Sequence, residues 1–485
     1  MISNAKDSAT QGKRGLSILS AGLLVGVMST VAGVAGAQSA AAPAAAPDES
    51  LTWHGITLYG IVDIGLQNQS HGAPISDYFP AGSADIVQKN SNHSITGVTP
   101  SNLSQSRVGL QGSEPIVGDW NAVFKLETFF NPQSGNISDA LKSLTQNNGR
   151  ALANQNTNLD SSVAGQIFQQ SFAGFSSKTF GTVTFGRQNT VLADGIAKYD
   201  PNFASQAFSL IGLSGTTAGG GDTQNRRMDA SLKYVGNFAG VAHLAAEYKF
   251  NQSTGGANTA FQVSAGGEYA GLSVDVFYSK VKDAVSVAAL SAGQVAGLPG
   301  LCPDPVPTGG SCLAAGPSTA LASTISDNTA YALMGLYNLG TVKLYAGYEH
   351  IQYANPDTPL TPGFTIANYT IAYVNNAAFP TDKTLQVFWG GVRYTVLPDL
   401  DLVGAYYGYK QNSYGIGANA GCSTNKAGTC SGTEDDISFD ADYRLTKRFD
   451  VYAGIMYTGV KDGLANGYLF HTTDITTTTG VRFKF

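Results

Sequence analysis

Charged residues recur at alternate positions within otherwise apolar segments of this sequence. Lys125 and Glu127 alternate with apolar neighbours, and Arg107 and Arg227 begin similar series. Because successive side chains of a β-strand point to opposite faces, each series would give a strand one charged face and one apolar face. Such a charged face can attract, repel and orient ions in water, and it needs no catalytic group to do so.

Motifs for covalent or metal chemistry are absent from the sequence. Its six histidines form no H-x-x-H pair, no serine lies in a G-x-S-x-G turn, and Gly219–Gly221 precedes no Lys-Ser/Thr. The run Glu434–Asp436 would attract divalent cations or, more simply, remain solvated. We therefore expect no enzyme activity, no cofactor and no metal site.

The composition favours a membrane-exposed β-protein. Only 13% of residues are charged, against about 25% in typical soluble domains, and Gly (58), Tyr (23) and Phe (23) are abundant. Few charges suit a sheet with one face in lipid, where a charge costs about 2–4 kcal/mol at mid-depth. A formal net charge of −6 offers no basic footprint for nucleic acid.

The first 37 residues differ from the rest. Basic residues precede an apolar run from Leu16 to Val34, and Ala35–Ala37 offers a small-residue cleavage site. A signal peptide is the favoured interpretation and a membrane anchor is the alternative. Cleavage would leave 25 basic and 33 acidic residues, a charge of −8. The expected organisation is a signal peptide over 1–37, an Ala/Pro-rich linker over 38–50 and a barrel domain over 51–485.

Sixteen segments of the remaining chain alternate apolar and polar residues. Short turns and long polar connections alternate between them, so every long connection would lie at one end of the sheet. This asymmetry is typical of an outer-membrane barrel with tight periplasmic turns and long external loops. A secreted sandwich or propeller is the alternative, although its strands would be shorter. The predicted strands cover 56–68, 104–113, 118–131, 166–177, 180–188, 226–236, 240–251, 260–269, 271–283, 327–338, 340–352, 383–396, 399–412, 434–445, 447–460 and 474–485.

The four cysteines form two local pairs in Gly-, Pro- and Ser-rich stretches. Cys302 with Cys312, and Cys422 with Cys430, are predicted to form loop disulfides after export. A zinc site is the alternative, but no histidine is near either pair in the sequence and the spacings differ from C-x₂-C.

Four stretches carry recognisable motifs. Ile56–Gly65 is similar to T-L-Y-G-x-x-D-x-G, Ser106–Glu114 to S-R-x-G-x-x-G-x-E, and Phe180–Gln188 to F-G-x-x-x-x-G-R-Q, while Gly480–Phe485 ends on an aromatic residue. In this order, and across 51–485, they resemble the Gram-negative general porins, especially those of β-proteobacteria.

The resemblance implies an all-β fold, a sixteen-stranded antiparallel transmembrane barrel in the outer membrane of a Gram-negative bacterium. It also implies a homotrimer surrounded by outer-membrane lipid and lipopolysaccharide, and passive diffusion of ions and small hydrophilic solutes. The third long loop, about 189–225, would fold into the barrel, and Phe485 would be recognised by the barrel-assembly machinery. From the sequence alone, Phe485 is a lipid-facing aromatic residue at the interface.

The expected pore lining combines basic residues of the wall with acidic residues of the inward loop. Strand parity points the wall residues inward, except for Arg187, which is placed there by the resemblance. The loop lacks the P-E-F-G motif of enterobacterial porins, and each charge could instead simply solvate the lumen wall. The residues expected at the pore are Arg107, Lys125, Glu127, Arg187, Asp194, Asp200, Asp222 and Arg227.

Trp53, Trp120 and Trp389 are predicted at the membrane interfaces. The charge of −8 favours cations, whereas the wall arginines favour anions. A substrate-specific channel, and an adhesin that uses its long loops, are the alternatives to a general diffusion channel.

Overall fold

Sixteen antiparallel strands close into one barrel. The computed structural model describes residues 51–72, 76–78, 92–156, 167–213, 226–250, 259–298, 316–422 and 428–485. Each strand pairs with the next, and β16 pairs with β1, so the ring is closed. All sixteen predicted strands are confirmed. They are β1 Ile56–Gly72, β2 Arg107–Val117, β3 Trp120–Asn131, β4 Gln170–Ser177, β5 Gly181–Asn189, β6 Arg227–Phe238, β7 Ala242–Lys249, β8 Ala260–Tyr269, β9 Leu272–Ala288, β10 Ala320–Asn338, β11 Val342–Ala354, β12 Lys383–Leu397, β13 Leu400–Gln411, β14 Gly432–Arg444, β15 Phe449–Asp462 and β16 Thr473–Lys484.

The strands direct apolar side chains outward and mostly polar side chains inward, as predicted. On β14, Ile437 and Phe439 are 57% and 51% exposed, whereas Asp436 and Asp440 are 0% and 1% exposed. An apolar outer face is stable in hydrocarbon, and a polar inner face is stable beside water. The alternation therefore follows from hydrocarbon on the outer side of the wall and water on the inner side.

Short turns lie at one end of the barrel and longer loops at the other, which confirms the predicted asymmetry. We call these the turn end and the outer end, and number the loops 1 to 8 in chain order. Short strands pair with the outer part of β1 (His93–Pro100, loop 1) and with the start of β10 (Tyr369–Asn375, loop 6). The loop helices are α1 Ala140–Gln146 in loop 2, α2 Val191–Tyr199 and α3 Leu210–Leu213 in loop 3, and α4 Ala292–Ala296 in loop 5.

Within the described part of the chain, no helix combines the length and the apolar character needed to cross a membrane.

The β9–β10 hairpin extends further than the sequence predicted. After a bulge between Val281 and Ala284, the two strands continue to pair as far as Ala288 opposite Ala322. Asp283, within the bulge, has a φ of +53°. A bulge bends a strand and changes its direction. The hairpin therefore continues beyond the predicted strand ends as an extension at the outer end of the barrel.

Gly60 interrupts the apolar outer face of β1 because the ring of Phe485 occupies its place. The two residues exchange backbone hydrogen bonds of 2.9 and 3.1 Å, and a Cβ atom on Gly60 would overlap the Phe485 ring. Phe485 itself stacks with Phe483, with ring centroids 6.1 Å apart. The carboxy-terminal residue is thus packed on the outer surface at the β1–β16 junction.

We expect Gly60→Val to displace the Phe485 ring and to destabilise the barrel by about 1–3 kcal/mol, the usual cost of overpacking. The measurement is the temperature at which the folded band disappears in heat-modification gels. Gly404→Val is the matched control, because no atom of the described residues, apart from the two chain neighbours, lies within 4 Å of a Cβ built on Gly404. Equal unfolding temperatures for the two variants would contradict this packing.

Candidate functional site

Loop 3 folds into the barrel, and the wall caps its first helix. The first backbone N–H groups of a helix lack partners within the helix. Here Glu247 Oε2 accepts from Val191 N at 3.2 Å and Gln262 Oε1 accepts from Leu192 N at 3.1 Å. Thr190 Oγ1 accepts from Ala193 N at 3.0 Å, as an N-cap residue does. Two neighbouring strands, β7 and β8, therefore fix where α2 begins.

An apolar patch on the inner wall holds the rest of loop 3. Ile196 and Tyr199 of α2 belong to one buried cluster with Val387, Trp389 and Tyr407 of β12 and β13. Trp389 is 4% exposed, and its Nε1 donates to the backbone oxygen of Tyr199 at 3.0 Å. On this side the barrel interior is a packed core instead of a wet surface.

The prediction that Trp389 lies at the membrane interface is therefore wrong. Leu385, Val387 and Trp389 share the inward parity of β12, while Phe388 and Val392 point outward. Because apolar residues occupy both faces of this strand, alternation cannot reveal which face is inside. By contrast, Trp53 is 73% exposed near the start of β1, and Trp120 stacks on Phe180 at the turn end.

The turn that follows α2 is organised by a buried carboxylate. Asp200 is fully buried and accepts from Tyr407 Oη at 2.7 Å and from Ala204 N at 2.7 Å. This burial raises the pKa of the Asp200 carboxyl, while the hydrogen bond from Tyr407 acts in the opposite direction. The predicted pore residue Asp200 thus lies inside the packed loop and shapes its turn.

The tip of loop 3 is fastened to the segment that precedes β2. The Asn102 carbonyl oxygen accepts from Gln206 N at 2.9 Å, Ala207 N at 3.0 Å and Ser205 Oγ at 2.8 Å. Loop 3 therefore begins beside β7 and β8 and reaches a second anchor near β1 and β2. The open part of the lumen is left beside strands β1 to β6.

Asp63 of β1 holds this second anchor in place. Its carboxylate accepts from the backbone N–H groups of Asn102, Leu103 and Ser104 at 3.2, 3.0 and 2.8 Å. Tyr452 Oη also donates to it at 2.5 Å. Asp63 is not among the residues predicted at the pore. It is the acidic residue of the first motif, and this motif is the sequence feature that points to it.

The wall opposite the apolar patch carries most of the predicted pore residues. Arg107 and Lys125 lie 3.8 and 3.6 Å from the Glu127 carboxylate, which is 1% exposed. The Arg227 guanidinium stacks over the Phe129 ring at 4.6 Å. Arg107, Arg187 and Glu127 all interact electrostatically with Arg227. The fold thus brings together five of the predicted residues from four separate strands.

Arg187 and Asp194 each form an ion pair at the base of loop 3. Arg187 pairs with Asp229, and Lys233 Nζ lies 2.5 Å from Asp194 Oδ2. Asp222 lies outside the described residues. We use the term basic wall for the seven basic and four acidic side chains that interact here: Arg107, Lys125, Glu127, Arg187, Asp194, Arg226, Arg227, Asp229, Lys233, Glu247 and Lys249.

An open recess runs between the basic wall and the start of loop 3. Its volume is about 670 Å³, and its lining includes Thr57, Gln111, Lys125, Gln188 and Asp194. The described residues contain no group of three or more His, Cys, Asp or Glu side chains placed to hold a metal. Hydroxyl, amide and charged groups around an open passage can replace part of the water shell of a passing solute.

The two predicted cysteine pairs have different outcomes. Cys422 and Cys430 form a disulfide in loop 7. Gln411 Nε2 donates to the carbonyl oxygen of Cys430 at 2.8 Å, which ties this loop to the end of β13. Cys302 and Cys312 lie outside the described residues.

A closed sixteen-stranded barrel with a polar passage beside an inward loop defines a channel protein of the outer-membrane class. A family profile described as Gram-negative porin matches residues 23–463. An outer membrane porin protein of Bordetella pertussis is 29% identical over 160 residues, which span 33% of this chain and about a third (34%) of that relative. The chain belongs to the Gram-negative porin family, and its location is the outer membrane.

Solved structures of low sequence identity share the fold. The anion-selective porin from Comamonas acidovorans superposes with a TM-score of 0.54 at 17% identity, covering 89% of this chain and 99% of that chain. OmpT, an outer membrane protein of Vibrio cholerae, has a TM-score of 0.52 at 14% identity, covering 90% of this chain and 100% of that chain.

Proposed function

We propose that the protein is a water-filled channel through which ions and small hydrophilic solutes diffuse passively, without catalysis or energy coupling. The observation that carries this proposal is the open recess between the basic wall and loop 3, inside a closed barrel. It is tested by swelling of liposomes that contain the purified protein. Swelling in isotonic solutions of small sugars is expected, and liposomes that behave like protein-free ones would contradict the proposal.

We further propose that the channel prefers anions. The basic wall carries seven basic side chains against four acidic ones, and water reaches Arg107 and Lys125 better than it reaches Glu127. Across the lumen, Asp442 and Asp450 are paired with Arg482. The inward carboxylates Asp436 and Asp440 are 0% and 1% exposed, so water reaches them less than it reaches Arg107 and Lys125. The solved neighbour from Comamonas acidovorans is described as anion-selective.

Neutralising the wall arginines tests this preference. Arg107→Ala and Arg227→Ala are each expected to shift the reversal potential in a salt gradient toward cations, because each removes a positive charge from the passage. Lys447→Ala is the matched control, since Lys447 is exposed in the β14–β15 turn. If both arginine variants keep the wild-type reversal potential, these residues do not set the selectivity.

We also propose that residues 1–37 are removed on export and that three copies assemble in lipid that contains lipopolysaccharide. OmpT of Vibrio cholerae, described in a trimer form, has a TM-score of 0.50 to this chain. The outward packing of Phe485 is consistent with recognition by the assembly machinery. Sedimentation of the detergent-solubilised protein distinguishes a trimer from a monomer, and a monomer would contradict this proposal.

A further inference from the structure

Loop 2 is bound on the side of the barrel that lies opposite its own strands. Leu141 and Leu144 of α1 are 1% and 3% exposed, and they pack in one buried cluster with Val287, Leu321 and Tyr369. Those partners belong to β9, β10 and loop 6. In the ring, β10 lies seven strands from β3, close to the maximum of eight. Loop 2 therefore joins nearly opposite sides of the outer end.

This connection passes over the mouth and does not follow the rim. Ser138 N donates to Phe129 O at 3.0 Å, so loop 2 returns to the end of β3 directly before α1 begins. A path of seven strands along the rim is about 34 Å at 4.8 Å per strand, whereas the seven residues of α1 span only about 10 Å. The extension of β9 and β10 covers the remaining distance, so α1 and this extension meet above the opening of the barrel.

Asn148 fastens loop 2 to loop 5 with both ends of its amide. Nδ2 donates to the carbonyl oxygens of Pro317 and Ala320 at 2.5 and 2.7 Å, and Oδ1 accepts from Leu290 N at 2.7 Å. The Gly149 N–H donates to Leu290 O at 2.9 Å. An amide offers two donors and one acceptor oxygen, so Asn148 uses both ends of its side chain for this contact.

Asp139 adds a second fastening at the start of α1. Its Oδ1 accepts from Lys142 N at 3.0 Å, as an N-cap, and its Oδ2 accepts from Tyr369 Oη at 2.8 Å. Its backbone N–H donates to Tyr78 O of loop 1 at 2.8 Å. Four loops thus meet at one helix. A surface loop usually exposes most of its residues, whereas α1 is buried on most of its surface.

We propose that this bridge, which we call the strap (residues 131–149), is a second filter that selects solutes by size at the outer mouth. It acts in series with loop 3, so bulky hydrophilic solutes are stopped before they reach the basic wall. Asn148 is the positioning residue of the strap. The inference rests on the proposed channel function, because a filter has meaning only where solutes pass.

The test compares liposome swelling rates for a series of sugars, from a pentose to a tetrasaccharide. In Asn148→Ala the strap loses three hydrogen bonds, and the undocked population is expected to rise by about tenfold or more. Swelling with the largest sugars should then increase relative to wild type, while swelling with the pentose stays unchanged. Asn376→Ala is the matched control, because the hydrogen bonds of the Asn376 amide to described residues are both to Leu360, within loop 6.

Two further measurements report whether the strap is released and whether the barrel is folded. Tryptic cleavage after Lys142 should accelerate in Asn148→Ala, which shows that the strap has been released, and heat-modification gels show that the barrel is folded. Released strap with an unchanged size limit would overturn the proposal. Asp139→Ala is the second variant if Asn148→Ala does not fold. Failure of the channel function itself is recognised separately, since wild-type liposomes would then swell with no sugar.

Discussion

Replacing Asp63 by Ala is expected to release the tip of loop 3 and to make the channel wider and electrically noisier. The change leaves three backbone N–H groups without the carboxylate that binds them, and each unsatisfied buried group costs about 1–3 kcal/mol. Since the channel interior supplies some water, we expect a loss of about 2–4 kcal/mol in the anchoring of the loop. Single-channel recordings measure the effect as larger and fluctuating conductance.

Asp119→Ala provides the control for this experiment. Asp119 also accepts a backbone hydrogen bond, from Thr179 N at 3.0 Å, and a second from Ser177 Oγ at 2.7 Å. It lies in the β2–β3 turn, away from loop 3. Its loss should lower the unfolding temperature without adding current noise. Quiet, wild-type currents in folded Asp63→Ala would show that the segment before β2 does not hold loop 3.

Replacing Trp389 by Ala is expected to detach α2 from the inner wall. The substitution removes a buried ring and its hydrogen bond to the Tyr199 carbonyl oxygen, and truncation of a buried tryptophan costs about 3–5 kcal/mol. The loop should then sample positions nearer the centre of the lumen. Planar-bilayer recordings should show a lower threshold voltage for closure and a second conductance level.

Trp120→Ala separates this effect from a general loss of stability. Trp120 stacks on Phe180 at the turn end, with ring centroids 5.9 Å apart, and has no contact with loop 3 among the described residues. This variant should change heat stability while it keeps a single conductance level. If folded Trp389→Ala has the closure voltage of the wild type, the apolar patch is not what positions loop 3.

The barrel could be predicted from the sequence because lipid outside and water inside impose the same two-residue alternation on every strand. The alternation of Phe439 with Asp440 is enough to assign faces, and a run of such segments is enough to count strands. The basic wall followed from the same rule, since Arg107, Lys125 and Glu127 stand on wet faces. Arg187 had to come from the resemblance, because the strand is irregular near the start of loop 3.

The interior contacts of loop 3 could not be predicted in the same way. Trp389 faces inward because loop 3 covers it. Strand alternation alone does not show which loop packs against the inner face of a strand. The charge of Asp200 and its place in loop 3 predict a pore residue, yet the side chain is fully buried. Strand alternation does not identify Asp63 as a loop anchor, because three of its partners are backbone N–H groups.

The closure of the ring by its first and last strands has a consequence for biogenesis. Gln67 and Thr478 are hydrogen-bonded across a sequence separation of 411 residues. Contacts of such separation form slowly, because a long chain must lose its freedom before they stabilise it. Until synthesis reaches β16, the sheet has an unpaired edge that can join to another chain. A polypeptide that stays unfolded until β16 is available has no such edge to offer to another chain.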